Sequence, residues 1–339
     1  EMKKIKLAFI GAGFMAQSAH LPSFYADPRV EIVALSDLDK KLLDQVSRKY
    51  QIKKTYQSYK KMLKNEKLDG VVLAVNRLKT EFIAKDILKA KIPLFSEKPM
   101  APNYLSAKKL CDLSKKNNTK YLVGCMKRYD NGILFLKKNL KKINLGKLIS
   151  VYYQSFIGDS YSSPFEYFKH QDKDYRKKNT LNNNFKNKKL IFLKYLNSHC
   201  HNINLIRYLF GEINLNYKIL SQLGEGLVFF KTKDNANIVL NNQFSNATRW
   251  IEDIKLNFKN GSIFIKVPAP LLKNTSAEIT IEDYRNGKIY KPGIKWGWAF
   301  QNQAKAFVDY IISNRTDESN CHGRDSLQDI KIIESIFKK

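Results

Sequence analysis

One stretch restricts this chain more than any other: the apolar run that ends in Gly11-Ala12-Gly13-Phe14-Met15-Ala16. Ile5, Leu7, Phe9 and Ile10 read as a buried parallel strand, and the residues after Gly13 read as a helix leaving the turn directly. A nucleotide pyrophosphate needs this arrangement. Gly11 permits the tight turn, Gly13 lets the backbone approach the phosphates, and small Ala16 lets helix and strand pack closely. The helix N-terminus offers its unpaired N–H groups to the anion. A second strand, Glu31-Ile32-Val33-Ala34-Leu35-Ser36, ends at Asp37, roughly 20 residues past the turn, where a carboxylate would accept from an adenosine ribose. Strand, turn, helix and acid together predict dinucleotide binding. The plainer alternative is an ordinary strand-to-helix turn.

At 339 residues and 43% hydrophobic content the chain is long enough for two domains. Its formal charge of +29 invites a nucleic-acid reading. The lysines, however, fall in scattered pairs such as Lys115-Lys116, Lys141-Lys142 and Lys188-Lys189, not on one stripe or arm. Specific nucleic-acid binding is therefore not expected. The net field would instead gather an anionic substrate. Cys111, Cys125, Cys200 and Cys321 are far apart, with neither metal-ligand spacing nor a disulfide framework. No run has the length of a membrane span, and no signal peptide precedes the first strand. The expected compartment is the cytoplasm.

The N-terminal third alternates strands and helices, which predicts a doubly wound α/β domain over residues 2–125. Its later strands are Leu68–Val75, ending at Asn76, then Pro93–Ser96 and Tyr121–Gly124. Helices are expected near Phe14–Tyr25, Leu38–Tyr50, Tyr56–Asn65, Thr80–Ala90 and Ser106–Asn117. Residues 126–339 change character. After a helix through Leu134–Leu140, strands dominate: Leu148–Ile157, Asn216–Ser221, Leu227–Thr232, Asn237–Phe244, Trp250–Phe258, Ser262–Val267 and Ile279–Tyr284. They predict an α+β domain with a large, mainly antiparallel open sheet. A helix ending at Gly211 would cover one face, and a second copy of the chain the other, as a homodimer or homotetramer. The helical tail, Phe300–Ser313 and Ser326–Phe337, is able to pack back on the first domain. The stretch 158–189 is polar, basic and dotted with aromatics, either a solvated loop or a lid over a substrate.

The strand ending at Ser96 delivers Glu97-Lys98-Pro99 to the end of the sheet where ligands of open α/β folds lie. A lysine there could exchange a proton with a substrate if burial lowered its pKa. Alone, such a tripeptide would be a solvated turn. Taken with the glycine turn, Ser36-Asp37, Lys127-Arg128-Tyr129, His201-Asn202-Ile203-Asn204 and Tyr208-Leu209-Phe210-Gly211, it makes nearly the whole chain resemble the Gfo/Idh/MocA oxidoreductases. The resemblance implies a Rossmann domain, a substrate domain with an open sheet, and hydride transfer at a sugar-like carbon. It implies Lys98 and His201 as the catalytic pair, and Gly11, Gly13, Phe14, Met15, Asp37, Asn76, Glu97 and Lys98 around the cofactor. Arg128, Tyr175, Arg176 and Asn197 fall to the substrate. Asp37 would repel a 2′-phosphate, so NAD(H) is expected in preference to NADP(H).

The chain also departs from that pattern. Asn197 stands where the family often carries aspartate, and Asn204 replaces another; Asn182-Asn183-Asn184 and lysines replace a glycine cluster. Asn197 and His201 are i and i+4 on one helix face, but an amide cannot take a proton. His199 lies on another part of the helix surface and is expected to be structural. Two functions follow. The first is an NAD(H)-dependent oxidoreductase acting on the CH–OH carbon of a sugar, cyclitol or nucleotide sugar. The second is a catalytically silent dinucleotide-binding sensor or subunit of the same fold.

Overall fold

The computed structural model describes residues 3–157, 167–169, 188–244, 250–313 and 317–338. The chain divides into two compact units. The first comprises the residues up to Cys125, residues 167–169, and Phe300–Lys331 apart from residues 314–316. The described residues of the second lie within 126–163, Asn184–Ala299 and Ile332–Lys339.

The first unit is a six-stranded parallel sheet, β1 (Ile5–Ile10), β2 (Val30–Ser36), β3 (Lys54–Tyr56), β4 (Gly70–Leu73), β5 (Leu94–Ser96) and β6 (Tyr121–Val123). The strand order is β3-β2-β1-β4-β5-β6, so the winding reverses between β1 and β4. Short polar side chains start its helices. Asp39 accepts from Leu42 N at 3.1 Å to begin α2 (Lys40–Lys49), and Ser58 accepts from Lys61 N to begin α3 (Tyr59–Asn65). Asn76 accepts from Leu78 N at 2.9 Å to begin α4 (Arg77–Lys89), and Asn103 from Ser106 N at 2.9 Å to begin α5 (Tyr104–Lys116).

The expected helix after the glycine turn contains a π turn, Ala16–His20, before α1 (Leu21–Tyr25). The wider turn brings Gln17, Ser18 and His20 all into the interior. β3 was not foreseen because three residues are too few to show a period; the helix expected from Tyr56 starts at Tyr59. Phe24 packs edge-on against Phe9, Phe95 and Phe307, 5.8 Å from Phe9 and 6.2 Å from Phe307, and Phe95 meets Phe307 at a tilt. Phe307 comes from α8 (Ala299–Ser313), so this tail helix completes the first unit's core. Truncating such a buried ring costs about 3–5 kcal/mol.

The second unit opens with a 3-10 turn, Met126–Tyr129, and α6 (Asn131–Ile143). Its sheet has eight strands: β7 (Leu148–Ile157), β8 (Ile213–Leu220), β9 (Gly226–Thr232), β10 (Asn237–Phe244), β11 (Ile251–Phe258), β12 (Gly261–Lys266), β13 (Glu278–Asp283) and β14 (Lys288–Tyr290). The order is β14-β13-β12-β11-β7-β10-β9-β8, antiparallel throughout except for the β7–β10 pair. One row across the sheet, Val228, Leu240, Tyr153, Ile254, Ile265 and Ile279, is out of solvent. The neighbouring row on the other face, Tyr217, Phe229, Val239, Tyr152, Lys255 and Phe264, is partly or wholly exposed. The remaining helices are α7 (Lys188–Phe210), ending just before Gly211, and α9 (Gly323–Phe337).

Candidate functional site

In the first unit the side chains expected to act collect at the carboxyl ends of the strands, around the β1/β4 reversal. Gly11 has φ +96°, and a Cβ built on it would lie 2.1 Å from the carbonyl oxygen of Ala74. No other residue fits there without moving β4. Ala12 N–H donates to Asp37 Oδ2 at 2.8 Å, and Asp39 N–H to Oδ1 at 3.0 Å. The half-buried carboxylate just past the end of β2 is thus fixed from both sides. Gly13, Phe14 and Met15 lead into the π turn, and the Phe14 ring meets Tyr167 edge-on at 4.9 Å. Gln17 donates to the carbonyls of Ala12 and Phe168, and its own carbonyl oxygen accepts from Phe168 N.

After β5, Glu97 is buried and Lys98 half-buried, with a cis bond between Lys98 and Pro99. His20 Nε2 lies 2.5 Å from Glu97 Oε1, and Lys98 N–H donates to Oε2 at 3.1 Å. Burial pushes the Glu97 carboxyl up. The His20 hydrogen bond, the His20 and Lys98 charges and the Lys98 N–H outweigh it and hold the group below its usual range. Gly124, after β6, presses against this segment. A Cβ there would come within 3.4 Å of Glu97 Oε1. The sequence shows none of this pairing.

A groove of about 780 Å³ also exists in the first unit, but at the opposite end of the strands, where Lys4, Lys6, Tyr25, Tyr50, Lys53 and Lys54 are part of its lining. None of the residues expected to do chemistry reaches it.

In the second unit the covered face of the sheet is apolar except at one end. There Glu252, Ser155 and Asn242 follow one another across β11, β7 and β10, all buried. Lys127, from the 3-10 turn, ion-pairs with Glu252 and donates to Asn202 Oδ1 at 3.0 Å. The Tyr153 hydroxyl donates to Glu252 and lies 3.1 Å from Asn202 Oδ1, and Trp250 Nε1 donates to Glu252 Oε2 at 2.8 Å. Asn202 donates on to Asn242, and Asn242 to the Tyr195 hydroxyl. Burial, then the Glu252 carboxylate, pushes the Tyr153 phenol well above its ordinary range. A buried charge survives only where it is paired and hydrogen-bonded, and this network satisfies Glu252 on both oxygens.

Asn202, Tyr195 and the expected site residues all ride on α7. Asn197 and His201 are half-buried on it, one turn apart. His199 packs between Tyr195 and Phe244, at 4.7 and 5.2 Å, as a structural histidine would. Arg128 is buried, donates from Nε to Asn204 at 2.6 Å and stacks on Tyr208. Tyr175 and Arg176, and all of the expected lid but residues 167–169, lie outside the described residues. Lys98 belongs to the first unit, and Arg128, Asn197 and His201 to the second.

Comparison with known proteins adds the decisive observation on the first unit. Residues 5–125 match the Gfo/Idh/MocA family model, described as an oxidoreductase family with an NAD-binding Rossmann fold. The chain is also similar to inositol 2-dehydrogenase of Salmonella typhimurium, 25% identical over 166 residues, covering 47% of this chain and 49% of that protein. A Lacticaseibacillus casei inositol 2-dehydrogenase/D-chiro-inositol 3-dehydrogenase is 29% identical over 139 residues, covering 40% of each. The chain thus spans about half the length, or less, of the curated relatives it matches. Over almost its full length it shares a fold with solved oxidoreductases. A 3-ketoreductase of Actinomadura kijaniata, in complex with NADP and TDP-benzene, aligns with TM-score 0.78 at 13% identity, covering 98% of this chain and 97% of that one. An Agrobacterium radiobacter oxidoreductase, in complex with NAD+, L-tartaric acid and magnesium, aligns with TM-score 0.73 at 16% identity, covering 98% and 95%. No helix among the described residues is long and apolar enough to cross a membrane.

Proposed function

We propose that the protein is an NAD(H)-dependent oxidoreductase that moves a hydride to or from the CH–OH carbon of a sugar, cyclitol or nucleotide sugar. The observation that carries this is the glycine turn tied to Asp37 at the β1/β4 reversal, in residues that match an NAD-binding family. The substrate class rests on the inositol dehydrogenases and the ketoreductase with its nucleotide-type ligand. A net charge of +29 favours an anionic member of that class. Four buried cysteines outside any disulfide fit a cytoplasmic, reducing setting.

The residues present fit the cofactor. Gly11 leaves room where any side chain would strike Ala74, and Asp37 stands just past the end of β2, where ribose hydroxyls would donate to a carboxylate. Gly13, Phe14 and Met15 present the backbone that would hold the pyrophosphate, with Asn76 at the head of α4 and Glu97-Lys98 after β5 nearby in the sheet order. The nicotinamide, when bound, supplies the hydride acceptor or donor. The rest falls to the chain. In the oxidative direction the alcohol proton passes to His201, an imidazole having a ring nitrogen able to accept it. Lys98 is the second proton-transfer group of the proposal, and Asn197 would orient a hydroxyl without accepting its proton. Arg128, Tyr175 and Arg176 complete the substrate contacts.

The silent-binder reading draws on Asn197, where the family's frequent aspartate is missing. One experiment separates the two. Tight NADH binding by fluorescence titration, followed by turnover on any member of a panel of polyols, inositols and nucleotide sugars, is the expected result. Binding without turnover across the panel would leave only the silent reading.

A further inference from the structure

The fold gathers three ligating side chains that the sequence keeps apart. Among the described residues, Cys125 Sγ, Cys321 Sγ and a carboxylate oxygen of Asp329 all lie within 4.8 Å of one another. All three residues are buried, at 2%, 0% and 1% exposure, and all belong to the first unit. Cys125 follows β6. Cys321 lies just ahead of α9, and Asp329 sits on that helix. The backbone brings these segments together: Val123 N donates to the Cys321 carbonyl at 2.8 Å, and Leu122 pairs antiparallel with His322.

From this juxtaposition we propose that Cys125, Cys321 and Asp329 form a binding site for a thiophilic divalent cation, Zn2+ in chemical class, that ties the end of β6 to the C-terminal helix. The donor set suits zinc. Two thiolates and one carboxylate are borderline-soft in sum, whereas Mg2+ and Ca2+ take oxygen alone and Cu+ prefers sulfur alone. The spacing suits it too. Bond lengths of about 2.3 Å to sulfur and 2.0–2.2 Å to oxygen put tetrahedral ligand atoms roughly 3.5–3.8 Å apart, inside the observed limit. Binding releases two thiol protons to solvent as two metal–sulfur bonds form. The resulting charges, two thiolates and a carboxylate against a dication, stay together out of water. Cys111 stands apart from this group. Burial, with Asp112 beside it, pushes its thiol up to about 12, so it resists the ionisation that ligation needs.

The proposal is independent of the oxidoreductase reading and does not need turnover for its test. The full chain, reduced and stripped with a chelator, is titrated with Co2+ and then displaced with Zn2+. The expected result is one equivalent of Co2+ with sulfur-to-cobalt charge-transfer absorption, two protons released, and a rise in melting temperature with metal concentration. Cys321→Ser and Cys125→Ser should each weaken binding by about 100-fold or more, and Asp329→Asn should weaken it while keeping thiolate absorption. Cys200→Ser, in the other unit, should leave it unchanged. Far-UV circular dichroism of each variant separates lost ligation from lost folding. Failure of the folded, reduced wild type to take up stoichiometric metal overturns the site. So does uptake that survives Cys321→Ser, or a Cys125–Cys321 disulfide in protein isolated with its thiols blocked.

Discussion

His20 Nε2 and Glu97 Oε1 are 2.5 Å apart inside the first unit, and the other oxygen of the same carboxylate holds the backbone N–H of Lys98. The π turn that follows the glycine motif therefore reaches, through one buried carboxylate, the backbone of the residue assigned to proton transfer. Because the folded pKa of Glu97 is depressed, its contribution to stability is complete above its ordinary value of 4.5 and fades as the pH falls through the lower folded value. Glu97→Gln should cost about 3 kcal/mol near neutrality, in the range seen when one partner of a buried pair is removed. Urea midpoints measured from pH 7 to pH 3 should show the gap between wild type and variant closing below about pH 4.5. A gap that stays constant across that range would assign the cost to packing instead.

Lys98→Ala should lower kcat by about 100-fold with NADH affinity little changed, and His201→Ala should do likewise, as expected for acid–base groups. Restoring a carboxylate with Asn197→Asp should move the pH–rate profile to lower pH. Steady-state kinetics on the substrate found in the panel decide this. Near wild-type turnover in both alanine variants would show the assignment to be wrong.

Asp37 couples cofactor choice to the geometry of the turn, since the Ala12 N–H points at it. Asp37→Ser should weaken NADH binding roughly 10-fold or more, the range for losing a charged acceptor. NADPH should gain relative to NADH, because the carboxylate that repels a 2′-phosphate is gone. Wild-type protein that binds NADPH as well as NADH in a fluorescence titration would contradict the expected preference.

Lys127→Met should be costly, about 3–5 kcal/mol, because it leaves Glu252 buried without its cation. Removing the charge as well, in Lys127→Met with Glu252→Gln, should return part of that loss. Chemical denaturation of the two singles and the double gives the coupling; strictly additive losses would mean that the pair is not energetically linked.

The exposed row Tyr217, Phe229, Val239, Tyr152 and Phe264 predicts association through the open face of the eight-stranded sheet. Light scattering at micromolar concentration should give a dimer or tetramer, and Tyr152→Lys with Phe229→Lys a monomer of unchanged helix content. A monomeric wild type would remove this reading.

What the sequence disclosed and what it hid divide by range. Gly11, Ala16 and Asp37 were legible because turn, helix and carboxylate lie within one strand-helix-strand unit, where local sterics dictate residue type. The strands of the second sheet were visible as apolar runs except β14, whose three residues are too few to show a period. His20 with Glu97 and Lys127 with Glu252 were not, since 77 and 125 residues separate the partners and no period links them. The three donors Cys125, Cys321 and Asp329 were hidden for the same reason. The bond from Arg128 Nε to Asn204, 76 residues away, was hidden in the same way.

The parallel match of β7 to β10, with β11 on its other edge, also sets when this protein can acquire its second half during synthesis. β7 is among the first strands of its sheet to leave the ribosome, yet both neighbours lie some 80–100 residues downstream. Contacts of such separation close slowly, because the intervening chain must surrender its freedom before any pairing rewards it. The nascent chain therefore carries two unpaired strand edges through a long interval, with Tyr152 and Tyr153 on opposite faces of the same strand. The six strands of the first unit are all made by Val123, so that sheet can begin to pair while β7 waits, although the tail helix that completes its core follows only after β7's partners. Slow translation through residues 158–236 would lengthen the exposure, and chaperone demand during expression should concentrate there.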